Sequence, residues 1–293
     1  MNAFIDSLAG FPADLGKGLW IFGIAGFYMG LLWFIVDRLT PFDDWKELFE
    51  RGNVAYLCQR IGLLAAQPIA MMAVVSDFDV SHPFWSAWWL FLEGTWVFVA
   101  LLIAYFFVDV VLFPSIKNRT LLLERKASVG IVEGAFYVGI GFLLKGSLTG
   151  TAATWQLSVA STAVFYLLGL AFVAAVFYLH EWWTPYCVRD EIKANNIAVA
   201  IELAGVLVST SIAVSVAVGG DFTDWVYDLL WFLTTAVISV GMLYALRWIS
   251  NRVLVRRHTV KEILAARSVT AAAFQATIMV LASFGVMAFM SVV

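Results

Sequence analysis

Five polar side chains stand in stretches that are otherwise apolar: Gln59, Arg60, Glu133, Glu202 and Gln275. A charged side chain at mid-bilayer costs at least ~2.5–3.5 kcal/mol on insertion scales, so each needs a reason. Glu202 follows Asn196 at the spacing by which Gln59 follows Asn53, and Glu133 and Gln275 form a second matched pair. Each pair thus holds one acid and one amide. Two readings follow. In one, Gln59, Glu133, Glu202 and Gln275 converge at one level and bind a cation or proton, since carboxylate rings replace part of a cation's hydration shell. That level lies roughly 9–10 Å below a membrane face, about two helical turns in. In the other, the four hold helices together by interhelical hydrogen bonds, each typically worth ~0.6 kcal/mol. Arg60 is placed to pair with either Glu.

Other chemistry finds little support. His82, His180 and His258 lie far apart, and His180-Glu181 lacks the second His of a zinc-protease helix. Cys58 and Cys187 form no framework of pairs and read as free thiols. No Ser-His pair, metal-ligand cluster or paired Asp falls at a sensible depth. An enzyme, a metal and a cofactor are therefore not expected. No basic run suggests a nucleic-acid partner.

The elements that must position these residues are membrane helices. Of 293 residues, 62% are hydrophobic and only 13% charged, with a mean hydropathy of +0.88. A soluble domain is about half apolar and a quarter charged. Continuous apolar composition predicts eight transmembrane helices near 18–36, 53–75, 85–113, 127–147, 155–180, 196–218, 225–248 and 268–291, an all-α polytopic membrane fold. The stretch Met1 to Lys17 lacks the basic start and cleavage site of a signal peptide, so the first span reads as permanent. Trp85, Trp88, Trp89, Trp182 and Trp183 fit interfacial belts. Gln67-Pro68 predicts a kink. Small residues mark helices six and eight as core-facing, whereas Phe and Leu mark helices three and five as lipid-facing.

Basic residues fall in alternate loops. Arg38, Lys46 and Arg51 follow helix one; Lys117, Arg119, Arg125 and Lys126 follow helix three; Arg189 and Lys193 follow helix five. Arg247, Arg252, Arg256, Arg257, Lys261 and Arg267 surround the last such loop. Asp77, Asp79, Asp221 and Asp224 occupy the opposite side. The positive-inside rule places the basic loops in the cytoplasm and both termini outside.

The chain also repeats itself. TPFDDWKELFERGNVAYLCQRIG from Thr40 parallels TPYCVRDEIKANNIAVAIELAG from Thr184, pairing Asn53 with Asn196 and Gly62 with Gly205. Trp89 matches Trp231, and Leu122 matches Leu264. Two parallel four-helix repeats follow, at 1–150 and 151–293. A weaker echo links Glu50-Arg51 with Glu124-Arg125, so that every even-numbered helix starts after a charged loop.

A charged loop, Asn-x-Ala, then a Gly at fixed distance resembles the YjfL-like family of bacterial inner-membrane proteins, a domain of unknown function. Asn196-Ile197-Ala198 with Gly205 matches well; in Asn53-Val54-Ala55 with Gly62, Tyr56 and Leu57 interrupt the small residues. The resemblance implies the bacterial inner membrane and association with phage-shock-type envelope-stress proteins. It implies no activity. The expected function is a channel or transporter for a small cation or polar solute. The alternative is a scaffold for envelope-stress partners, to which the basic loop Arg252 to Arg267 would contribute. The bilayer, small cations and a second copy of the chain are the remaining candidate partners.

Overall fold

A computed structural model describes residues 2–40, 43–75, 78–108, 118–184, 186–254, 262 and 266–292, with backbone alone for 2–14 and 254. Among them the long helices are α1 (Asn2–Leu39), α2 (Val54–Met71), α3 (Pro83–Phe107), α5 (Ala127–Ser147), α6 (Trp155–Trp183), α8 (Ile197–Val218), α9 (Trp225–Leu254) and α10 (Val269–Met290). The short helices α4 (Asn118–Leu123) and α7 (Val188–Lys193) and a π-helical turn at Lys46–Glu50 lie between them. No strand occurs among the described residues.

Seven of the long helices are long and apolar enough to cross a membrane: Leu15–Leu39 within α1, Trp225–Val253 within α9, and all of α3, α5, α6, α8 and α10. α2, where a further span was expected, forms as an 18-residue helix but is not one of the seven. Gln59, Arg60, Gln67 and Pro68 dilute its apolar content. The helix runs through Pro68 and ends three residues later.

Membrane helices bury only the stripe that meets other helices and offer the rest to lipid tails. Over its most apolar stretch α1 is only 17% buried and α9 28%, with Phe22, Phe27, Val237 and Trp248 exposed. Such surfaces contact the bilayer. α8 and α5 form the centre, at 78% and 72% buried. The small residues of α8 thus do mark a core helix, but those of α10 do not. α10 ends the row α2–α5–α8–α10 and exposes Phe274, Leu281 and Phe284.

Every helix in that row starts the same way. A residue of positive φ (Gly52 at 59°, Arg125 at 60°, Asn195 at 58°, Arg267 at 52°) precedes an extended cap residue. The caps Asn53, Lys126, Asn196 and Ser268 have φ between −72° and −78° and ψ between 92° and 98°. Arg125 and Asn195 end the short helices α4 and α7, which close with Lys126 N–H to Leu121 O and Asn196 N–H to Glu191 O, both 3.0 Å. The fourfold echo seen in the charged loops is therefore a fourfold backbone corner.

Neighbouring corners dock. Asn53 Nδ2 donates to Leu122 O at 2.8 Å, and Ser128 Oγ donates to Ile192 O at 2.6 Å. Leu122 and Ile192 occupy the same place in their own corners. Beyond the corners the helices approach backbone to backbone: a Cβ on Gly62 would lie 2.1 Å from Gly134 O, and one on Gly205 2.7 Å from Ala276 Cα. Ala276 is the repeat mate of Gly134. The α2–α5 crossing is therefore repeated at α8–α10.

Candidate functional site: a buried polar layer beneath the corners

The two repeat motifs build their corners alike. Asn53 Oδ1 accepts the Tyr56 N–H while its amide donates to Glu47 Oε2 at 3.1 Å. Asn196 Oδ1 accepts from Ala198 and Val199 N–H, and its amide donates to Glu191 Oε2 at 2.8 Å. Asn is a strong N-cap because a short side-chain oxygen reaches the free N–H groups of the first turn. The Glu below turns each cap into a clasp between short and long helix.

One to two turns further lies the polar layer. Gln59 on α2 donates its amide to Glu133 Oε2 on α5 at 2.5 Å, which brings together one acid and one amide from different matched pairs. Glu202 on α8 meets neither Gln275 nor Glu133 among its described contacts. It accepts from Arg247 of α9, and lies 3.2 Å from His180 Nε2 of α6. Gln275 on α10 donates to Asn251 Oδ1 at 3.3 Å. The described contacts of the four residues thus form three groups strung along the row. Outer helices α6 and α9 supply the partners of Glu202 and Gln275.

Arg60 turns to neither Glu. Its guanidinium forms a two-pronged pair with Asp44, at 2.7 and 2.8 Å, and also donates to the Tyr56 hydroxyl. The Tyr56 hydroxyl donates in turn to Asp44, and the guanidinium carbon stands 4.5 Å from the Tyr56 ring centre. At 2% exposure Arg60 is the largest fully buried side chain described. Asp44, Tyr56, His180, Arg247 and Asn251 are the members that sequence reading missed. Arg247 had a signal, a cation inside the last turn of a predicted span. Asp44 had none to separate it from Asp43.

Several buried acceptors find no donor. Gln59 Oε1, Gln67 Oε1, Thr210 Oγ1 and Gln275 Oε1 have no hydrogen-bond partner among the described residues. Gln67 lies on α2, about 12 Å deeper than Gln59, and Thr210 is its repeat mate on α8. Gln67 Nε2 reaches Gly94 O at 3.4 Å. Unmet polar atoms are rare in folded interiors, and each costs ~1–3 kcal/mol unless water or an ion completes it. No cluster of three metal-ligating side chains occurs among the described residues. The expected basic and acidic residues Lys117, Arg256, Arg257, Lys261 and Asp77 lie outside the described residues.

Apolar helices in number, an internally repeated corner and a buried polar layer define a multi-pass integral membrane protein of tandem-repeat design. The chain belongs to the family described as Domain of Unknown Function (DUF350), which matches residues 8–148 and again 154–290, two copies in tandem. It is also similar to a UPF0719 transmembrane protein of Aquifex aeolicus (strain VF5), 22% identical over 233 residues, covering 74% of this chain and 82% of that protein. No solved structure matches the chain.

Proposed function

We propose that the protein conducts a proton or small cation through its first repeat, with Glu133 as the binding carboxylate. The observation that carries this reading is the run of unmet acceptor oxygens beside and beneath it. Gln59 Oε1 lies on the residue that bonds Glu133, and Gln67 Oε1 follows about 12 Å deeper on α2. Oxygen acceptors spaced along one helix suit a file of water or a partly dehydrated cation. In this reading α2 is an eighth crossing. Its length of about 27 Å nearly spans the hydrocarbon core. Eight crossings make the two repeats parallel, and the positive-inside rule then puts the corners in the cytoplasm and both termini outside. The YjfL-like resemblance supports the bacterial inner membrane as the location.

Flux across liposomes under K⁺, Na⁺ and H⁺ gradients tests the proposal. Glu133→Gln and Gln67→Leu should each lower flux at least tenfold, about 1.4 kcal/mol of barrier. Glu202→Gln should leave selectivity unchanged. Folded protein that passes no ion under any gradient would overturn the proposal. A second reading, a non-transporting scaffold for envelope-stress partners, gains from the closed Glu202–Arg247–His180 contact, which answers that carboxylate within the fold.

A further inference from the structure

Between α6 and α9 lies a cavity of about 630 Å³, within the range of small-molecule sites, ~300–1,000 Å³. Its walls change character along their length. Phe172, Val176, Val237 and Val240 line one end, and His180, Arg247 and Asn251 line the other. From Phe172 to Thr184 the α6 wall runs about 18 Å, and from Val237 to Asn251 the α9 wall runs about 21 Å. That matches one leaflet of hydrocarbon, about 15 Å, plus the first polar atoms above it.

The polar end is built from hydrogen-bond donors, with a cation beyond them. His180 is 6% exposed and fixed by Glu202. Among the described residues Arg247 gives one N–H to Glu202, leaving four of its five donors for a head group. Asn251 spends its carbonyl on Gln275, which leaves its amide N–H groups to donate. Arg252, over the Trp248 ring at 4.7 Å, adds a second cation just beyond. Glu202 is the carboxylate facing this end, and Arg247 already compensates it. Gly241 lies in the middle of the α9 wall, where an added Cβ would meet nothing within 4 Å.

We infer that this cavity holds an anionic amphiphile, with one acyl chain along the Phe172–Val240 walls and a phosphate or carboxylate head on Arg247 and Asn251. The ligand comes either from an anionic phospholipid of the bilayer or from a free fatty acid. The site lies in the second repeat and does not depend on ion conduction through the first.

Native mass spectrometry of the delipidated full chain tests this, with phosphatidylglycerol, phosphatidylcholine or palmitate added back. Wild type should retain phosphatidylglycerol or palmitate at least tenfold better than phosphatidylcholine. Retention of phosphatidylglycerol identifies the bilayer as the source, and retention of palmitate alone identifies the free acid. Gly241→Phe fills the cavity from an open position and should abolish retention at unchanged thermal stability. Arg247→Gln should erase the preference for anionic heads. Equal retention of all three amphiphiles by wild type, or undiminished retention by Gly241→Phe, would overturn the inference.

Discussion

At the scale of single residues, Arg60 shows how this protein keeps a charge inside apolar surroundings. A lone buried guanidinium is prohibitively costly, and Asp44 and Tyr56 together answer it with three hydrogen bonds and a ring face. Removing one member strands the other. Asp44→Leu or Arg60→Leu alone should therefore cost ~3–5 kcal/mol. The double variant Asp44→Leu/Arg60→Leu should cost far less than their sum, because no charge is left unpaired. Chemical unfolding in mixed micelles, read as a double-mutant cycle, measures the coupling. Additive losses would mean that the two side chains do not answer one another. Glu202 obeys the same logic with partners from two other helices, and for that reason its partners were illegible. Depth and residue type are written in the sequence. Which neighbour reaches a carboxylate depends on how α6, α8 and α9 cross.

At the scale of elements, the close crossing of α2 on α5 is the feature most open to a simple test. A Cβ on Gly62 would fall 2.1 Å from Gly134 O and 2.4 Å from its Cα, so two backbones would have to part. Gly62→Ala should cost roughly 1–3 kcal/mol, the usual penalty of overpacking. Gly241→Ala, with nothing within 4 Å of the new Cβ, is the control. It should be neutral or stabilising by up to ~1 kcal/mol through helix propensity. Thermal unfolding in detergent separates the two, and equal melting temperatures would deny the close approach. This crossing was partly legible, because Gly62 and Gly205 recur at matched places after Asn53 and Asn196. Seven of the long helices were legible too, since apolar length alone marks them. The corners were not. Of their four positive-φ residues only Gly52 and Asn195 are types that favour that region, whereas Arg125 and Arg267 adopt it against their type. The short helices α4 and α7 were hidden for a related reason. Six residues carry too little periodicity to be told from a charged loop.

At the scale of the whole molecule, the two repeats are joined along α5 and α8 and again by their loops. α5 meets α8 through Gly139 against Ser211 and, at the helix ends farthest from the corners, Gly146 against Ser215. Just beyond, loops from both repeats clasp. Phe222 N–H donates to Thr151 O at 2.7 Å, and Asp221 Oδ1 accepts the Thr151 N–H and hydroxyl at 2.7 and 2.8 Å. Gly150, at φ 115°, lets Gly220 O approach where a Cβ would collide at 2.1 Å. The carboxylate of Asp79, the repeat mate of Asp221, meets Ser81 and His82 of its own loop and, among the described residues, nothing of the other repeat. The Thr151 bonds hold the Asp221 carboxyl below its ordinary value, so the native state prefers it ionised. Such a group adds stability that is complete above the unfolded value near ~3.9 and is lost as pH falls through the lower native one. The Asp79 carboxyl is likewise lowered, to about 2, by Ser81 and His82. Acid should therefore weaken two loops but loosen the contact between repeats only through Asp221. Between pH 5 and pH 2, Asp221→Asn should flatten the fall in melting temperature and make cleavage at the 148–154 linker less dependent on pH. Asp79→Asn should leave linker cleavage as in wild type. Limited proteolysis across that pH range decides the matter: matching cleavage profiles for the two variants would show that the clasp does not join the repeats.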